Sequence, residues 1–136
     1  MPVEADILLA QSAQGLNGAV SALGLGWQVR PPEPIPWAVV VILRASRDLI
    51  GESQTFTVKL EKEGTGTDGL ENEIEFEVEF EPEGLAGDAL SSPVVRGFSF
   101  NLPPIPLAPG TEFCFRLWVG QETRDHWVAP FRTTPP

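Results

Sequence analysis

Residues 71–83 read Glu-Asn-Glu-Ile-Glu-Phe-Glu-Val-Glu-Phe-Glu-Pro-Glu. Within them Ile74, Phe76, Val78 and Phe80 alternate without a break with Glu73, Glu75, Glu77, Glu79 and Glu81. Only a β-strand separates those two sets, because its side chains point to opposite faces with a period of two. A helix would spread the glutamates around its whole surface. One face of this strand therefore belongs to a core and the other to water, the mark of an antiparallel sheet. Carboxylates two residues apart on a strand lie roughly 6.8 Å from one another. Each such pair repels by about 0.6 kcal/mol in water, and salt roughly halves that. Burying Ile, Val and two Phe returns roughly 6–12 kcal/mol. Burial wins, so the pattern is stable without a ligand.

The chain has 136 residues, enough for one domain (residues 1–136) with a real hydrophobic core and no need of disulfides or metal. Its 13 glycines and 14 prolines suit short strands joined by many turns and forbid long helices. Net charge is −10, and seven of the acids lie in residues 71–83, which leaves −3 for the rest. The acidity is local. It argues against nucleic acid and anionic membranes as partners, since both require Lys or Arg. Cys114 is the sole cysteine, so no intramolecular disulfide forms. The amino-terminal residues lack a charged-then-apolar signal pattern, and no stretch approaches a membrane helix in length. Residence in the cytoplasm is the default expectation.

The period-two pattern and the turn signals predict about eight strands. The first two span 6–14 and 19–29, separated by Asn17-Gly18. Residues 3–23 are rich in Ala, Leu and Gln, which also suit a helix. A proline-rich connector over 30–36 leads to a third strand at 37–44, apolar on both parities and so expected to be covered on both faces. Ser46 and Gly51 could bound one helical turn. The fourth strand, 55–62, points Phe56, Val58 and Leu60 inward. A loop over 64–70 is expected to close a hairpin to the glutamate strand, setting Lys59 against the acidic face. Pro82 ends that fifth strand. The sixth, 94–102, carries Arg96 on the parity of Phe98 and Phe100, with Gly97 as a candidate bulge. Beyond a connector at 103–110, the seventh strand, 111–119, faces inward with Phe113, Phe115, Leu117 and Val119. The eighth, 126–133, contains Pro130, which restricts it to a sheet edge. The tail at 134–136 is expected to be loose. The fold class is all-β: a single antiparallel two-sheet sandwich, immunoglobulin-like or jelly-roll-like.

Two resemblances follow from short motifs. Asp6-Ile7-Leu8-Leu9-Ala10, Asn17-Gly18, Leu23-Gly24-Leu25-Gly26-Trp27 and Leu107-Ala108-Pro109-Gly110 together resemble a family of uncharacterised small proteins of actinobacteria and their phages. That resemblance implies an immunoglobulin-like sandwich and brings no activity, cofactor or catalytic residue. Residues 107–117 are also similar to the strand corner of fibronectin type III domains. Phe113 stands where that corner has Tyr, so the hydroxyl bond of the corner is missing.

The inventory for catalysis is thin, with one His, one Cys and no Tyr. Cys114 and His126 could be imagined as a thiolate pair, but a hairpin between the last two strands sets Cys114 nearer Val128 than His126. A straight strand diverges its carboxylates, so neighbouring glutamates do not share a cation. The loop with Asp68, Glu71 and Glu73 lacks the spacing of a calcium site. No cofactor, metal or catalytic residue is expected. The candidate interaction surface is Glu73, Glu75, Glu77, Glu79 and Glu81 with Trp118 and Trp127. Trp118 lies on the parity opposite the inward Phe row, either packed under a connector or exposed as an anchor. The expected function is a non-enzymatic structural or interaction protein with a protein partner or a second copy, in its concrete form a capsid-decorating or tail-associated virion subunit. A cytoplasmic bacterial binding module for a protein or a small ligand is the alternative, and an enzyme without recognisable motifs the third.

Overall fold

Every strand that reads as half-buried in the sequence packs one parity into a shared core. The computed structural model describes residues 3–16, 19–46, 52–67, 70, 73–81 and 94–135. Ten strands run through them: β1 (Val3–Ala10), β2 (Ser12–Leu16), β3 (Ala19–Leu23), β4 (Val29–Arg30), β5 (Trp37–Ala45), β6 (Gln54–Lys62), β7 (Glu75–Phe80), β8 (Val94–Leu102), β9 (Glu112–Val119) and β10 (Val128–Thr133). A three-stranded sheet, β1-β5-β8, faces a five-stranded sheet, β4-β10-β9-β6-β7, and β2-β3 forms a separate hairpin. No helix among the described residues is long and apolar enough to cross a membrane. The order β1-β5-β8 over β10-β9-β6-β7 is the A-B-E and G-F-C-C′ order of an immunoglobulin-type sandwich. To that order β4 is added, parallel to β10, along with the β2–β3 hairpin.

β5 is buried on both faces, as its sequence requires. Trp37, Val39, Val41 and Leu43 point between the sheets and are at most 1% exposed. Ala38 and Val40 point the other way and form a second apolar cluster with Ala10 and Ala13, against which Val20 and Ala22 pack. The β2–β3 hairpin is thus a third, thin layer over the outer face of the small sheet. Small residues let it lie close: Ala13 pairs with Ala22 and Gly15 with Val20, and a Cβ on Gly15 would sit 3.3 Å from Ser99 Oγ. Asn101 clamps the layer, its Nδ2 donating to the Ala13 carbonyl at 2.7 Å and its Oδ1 accepting from the Ala13 amide at 3.1 Å.

Several expectations are corrected here. The strand expected over 6–14 breaks at Gln11, whose amide donates to the Leu23 carbonyl, so one strand becomes β1 and β2 in different layers. The strand expected over 19–29 is interrupted by a turn in which Gly24 and Gly26 take φ of 65° and 88°, a region that favours glycine. The helical alternative for 3–23 is replaced by strands. Gly97 is not a bulge, because β8 pairs with β5 without interruption from Trp37–Leu102 to Ala45–Val94. β10 is not an edge strand, since β4 pairs with its last two residues. Pro130 is accommodated because the Arg132 amide donates to the Gln28 carbonyl and the Thr134 amide to the Arg30 carbonyl, so position 130 directs its missing N–H to the same side, beyond the reach of β4. Thr134 is not loose: its amide donates to Arg30 and its carbonyl accepts from Gly110. The turns expected at Asn17-Gly18 and before Gly51, and the end of the glutamate strand at Pro82, lie outside the described residues.

Both proline-rich connectors converge on one buried cation. The Arg30 guanidinium lies over the Trp37 ring at 4.6 Å. It donates from Nε to the Pro31 carbonyl and from Nη2 to those of Glu33 and Ile105, at 2.8–3.0 Å. Trp37 Nε1 in turn donates to the Pro103 carbonyl at 2.7 Å. These bonds satisfy carbonyls that prolines, having no N–H, leave without a ladder.

The entry to β9 is tied from β10. Phe113 stacks on Phe131 with ring centroids 5.5 Å apart and has no hydroxyl to hold the corner. Thr133 supplies one instead: its buried Oγ1 donates to the Ala108 carbonyl at 2.6 Å and accepts from the Thr111 amide at 3.0 Å. Thr133→Val keeps the shape and orphans both groups, so we expect a loss of about 1–3 kcal/mol in urea unfolding. Thr134→Val, on an exposed side chain, is expected to change stability by less than about 0.5 kcal/mol.

Candidate functional site

The outward parity of the five-stranded sheet collects most of the chain's chemically active side chains on one surface. β6 pairs antiparallel with β7 on one side and with β9 on the other. Cross-strand partners share a face, so the register builds rows: Glu77, Thr57 and Trp118 in one, and Glu75, Lys59, Arg116 and Val128 in the next. Glu61, Cys114 and Pro130 follow in a third.

Ion pairs form within and between these rows. Lys59 Nζ lies 3.7 Å from Glu75 Oε1 and 5.2 Å from the centre of the Trp118 ring, so the hairpin sets Lys59 against the acidic face as the sequence leads one to expect. Arg116 Nε donates to Glu61 Oε1 at 3.0 Å. Glu79 accepts from Ser53 Oγ at 2.7 Å. Glu75, Glu77 and Glu79 are exposed on β7, and Glu73 and Glu81 flank them, also exposed. Trp118 is half-buried on this face beside Lys59. The register places the glutamate row and Trp118 on one face of the five-stranded sheet.

Trp127 does not belong to that surface. It is fully buried in the core, and its Nε1 donates to Glu4 Oε1 at 2.7 Å. The correction has a legible signal: Trp127 shares parity with Ala129, Phe131 and Thr133, all buried. Sequence reasoning missed Glu4 altogether. Its Oε1 also lies 2.7 Å from His126 Nε2 and accepts from the Ala5 amide. The hydrogen bond from Trp127, then that from His126, hold its carboxyl at about 2, well below its ordinary 4.5. This latch joins the first strand of one sheet to the entry of the last strand of the other.

The register also places Cys114 opposite Pro130, one row beyond the expected neighbourhood of Val128. His126 is engaged with Glu4, so the two do not form a catalytic pair. The Cys114 thiol is half-buried, with Sγ 3.9 Å from Glu61 Oε1. Burial and the nearby carboxylate push its pKa up, the opposite of what a nucleophilic thiolate requires. No three acidic, His or Cys side chains converge among the described residues in a way that could hold a metal ion. Asp68 and Glu71 lie outside them.

A concave feature lies where β4, β10 and the start of β9 meet. It is a shallow groove of about 370 Å³ bordered by Gln28, Val29, Glu63, Glu112, Pro130 and Arg132. The Glu63 carboxyl there is pushed up by its hydrogen bond and charge contact with Glu112. No protein-family model matches the chain, and no curated protein matches it.

The Glu4 latch gives a signed pH dependence. Folded Glu4 stays ionised down to about pH 2, whereas the unfolded carboxyl takes its proton near 4.5. Its contribution is complete above 4.5 and is lost as pH falls toward 2. Glu63 acts with the opposite sign, so the comparison with a Glu4→Gln variant isolates the latch. We expect the melting temperature of the parent to fall more steeply between pH 5 and pH 2 than that of Glu4→Gln. Parallel curves would show that the latch does not couple to stability.

Proposed function

We propose that this protein is a non-enzymatic interaction module that binds a protein partner, or a second copy of itself, through the outward face of its five-stranded sheet. The observation that carries the reading is the single surface formed by Glu75, Glu77, Glu79, Lys59 and Trp118. A half-buried tryptophan with acidic and basic neighbours is the composition of an interface centre with a polar rim. The raised Cys114 thiol and the engagement of His126 with Glu4 weigh on the same side. The resemblance of the sequence to small proteins of actinobacteria and their phages supports a concrete setting, a capsid-decorating or tail-associated virion subunit. A cytoplasmic module for a small ligand is the second reading, favoured by the groove beside Glu63, Glu112 and Arg132.

Sedimentation of the purified protein, alone and with the partner recovered from its native lysate, tests the proposal. Trp118→Ala is expected to cost about 2 kcal/mol or more of association, nearly independent of salt. Changing Glu75, Glu77 and Glu79 together to Gln should weaken it chiefly at low salt, because screened rim charges act mainly on encounter. Unchanged association in both variants, with circular dichroism showing intact folds, would put the groove ahead of the sheet face.

A further inference from the structure

The geometry points to strand addition at β7: the edge that has no strand partner among the described residues receives an extended segment of a partner protein in which basic and apolar residues alternate. The inference rests on the reading of this sheet as an interaction surface and specifies the mode of docking and the chemistry of the partner.

The backbone makes the first argument. β7 has β6 on one side and, among the described residues, no strand on the other. The Leu60 amide donates to the Ile74 carbonyl at 2.9 Å. Bonded and non-bonded positions alternate along an antiparallel ladder, so Phe76, Val78 and Phe80 also turn their polar groups to β6. Glu75, Glu77 and Glu79 then turn their N–H and C=O groups to the open edge. The far side of β6 agrees: Thr55, opposite Glu79, gives its carbonyl to Gly120 of the β9 side at 2.8 Å. Three donors and three acceptors are thus aligned along the edge, the template that an added strand requires.

The side chains select the occupant. On the inner face Phe76 and Val78 are only half-buried, although Phe56 and Val58 beside them on β6 are at most 1% exposed. The Phe76 ring has Phe100 of the opposite sheet at 4.3 Å, so apolar side chains of an added strand would extend an existing aromatic strip. On the outer face Glu75 has Lys59, Glu79 has Ser53, and Glu77 has no ion pair among the described residues. A residue directly opposite each glutamate stands on the same face, where opposite charge stabilises and like charge destabilises. A second copy of β7 paired antiparallel would set glutamate near glutamate. The row therefore repels acidic strands, a second β7 among them, offers a neutral strand no electrostatic gain, and favours a basic one.

The test uses the whole protein, labelled for NMR, and a short peptide alternating lysine and valine, with a peptide of the same composition in two blocks as control. On binding the alternating peptide, the amides of Glu75, Glu77 and Glu79 should gain protection from hydrogen exchange, while those of Phe76 and Val78, already bonded to β6, change little. Glu77→Pro removes one edge N–H, and Glu77→Gln removes only the charge. Proline should weaken binding about tenfold more than Gln does. If Glu77→Pro fails to fold, the residue-specific protection pattern in the parent still decides. Equal binding of the block peptide, or shifts confined to Lys59 and Trp118 without edge protection, would overturn strand addition. The second of these would leave the sheet face standing as an interaction surface. Edge protection that rises with protein concentration in the absence of peptide would mean that β7 pairs with itself, and would also overturn the proposal.

Discussion

The burial of β5 on both faces is the constraint on which the other parts of the molecule depend. A strand with Val39 and Val41 on one parity and Ala38 and Val40 on the other has no face to give to water. The facing sheet covers one side. The other needs a separate cover, and the chain supplies the β2–β3 hairpin between β1 and β4. The small residues of that hairpin follow from this demand. Ala38 rises little above the sheet, so its cover must approach closely, and Ala13, Ala22 and Gly15 allow it. A bulky hairpin would stand off and leave voids, which interiors packed to crystal density tolerate poorly.

The charged row of β7 resolves a conflict that every open sheet faces. An edge strand must stay apolar inside to hold its sheet together, yet its bare backbone invites any passing strand. Glu75, Glu77 and Glu79 meet both demands with one alternation. Their mutual repulsion is modest against the apolar burial on the same strand. Lys59 and Ser53 relieve part of it at the two ends. The surface next to it differs in kind: the Glu61–Arg116 pair is less exposed and lies in the middle of the sheet. One side of this face is charged and open, and the other is internally paired around Trp118 and Cys114.

Sequence alone made the parity of β6, β7 and β9 legible, because each carries three or four inward apolar residues broken by polar ones, whereas Arg96 on the parity of Phe98 and Phe100 suggested a bulge in β8 that the ladder does not contain. It made the two-sided burial of β5 legible for the same reason. It misread the first thirty residues, where the small residues Ala5, Ala10 and Ala13 sit at buried positions and weaken the hydrophobic period that would mark the strands. The burial of Trp127 is legible in its parity with Phe131, although the nearby Pro130 suggests a sheet edge. The partnership of Glu4 with Trp127 had no local signal at all: the two are separated by 123 positions, and only the closing of the sandwich brings them together. The candidate face was half legible. The glutamates announced themselves, but their adjacency to Trp118 depends on the β6–β9 register.

That same latch fixes how the two extremities of the domain are placed. β1 and β10 both begin at the end of the sandwich where Glu4 meets Trp127. β10 then runs about 20 Å to Thr133, beside Gly110 and Arg30. Val3 and Thr134 accordingly stand at opposite poles, and a force that draws them apart acts along the strands. β1 would have to slide against β5 over their whole eight-residue ladder, breaking its hydrogen bonds together rather than one after another. A lengthwise pull would thus load the β1–β5 ladder in shear, a resistance that a melting temperature does not report.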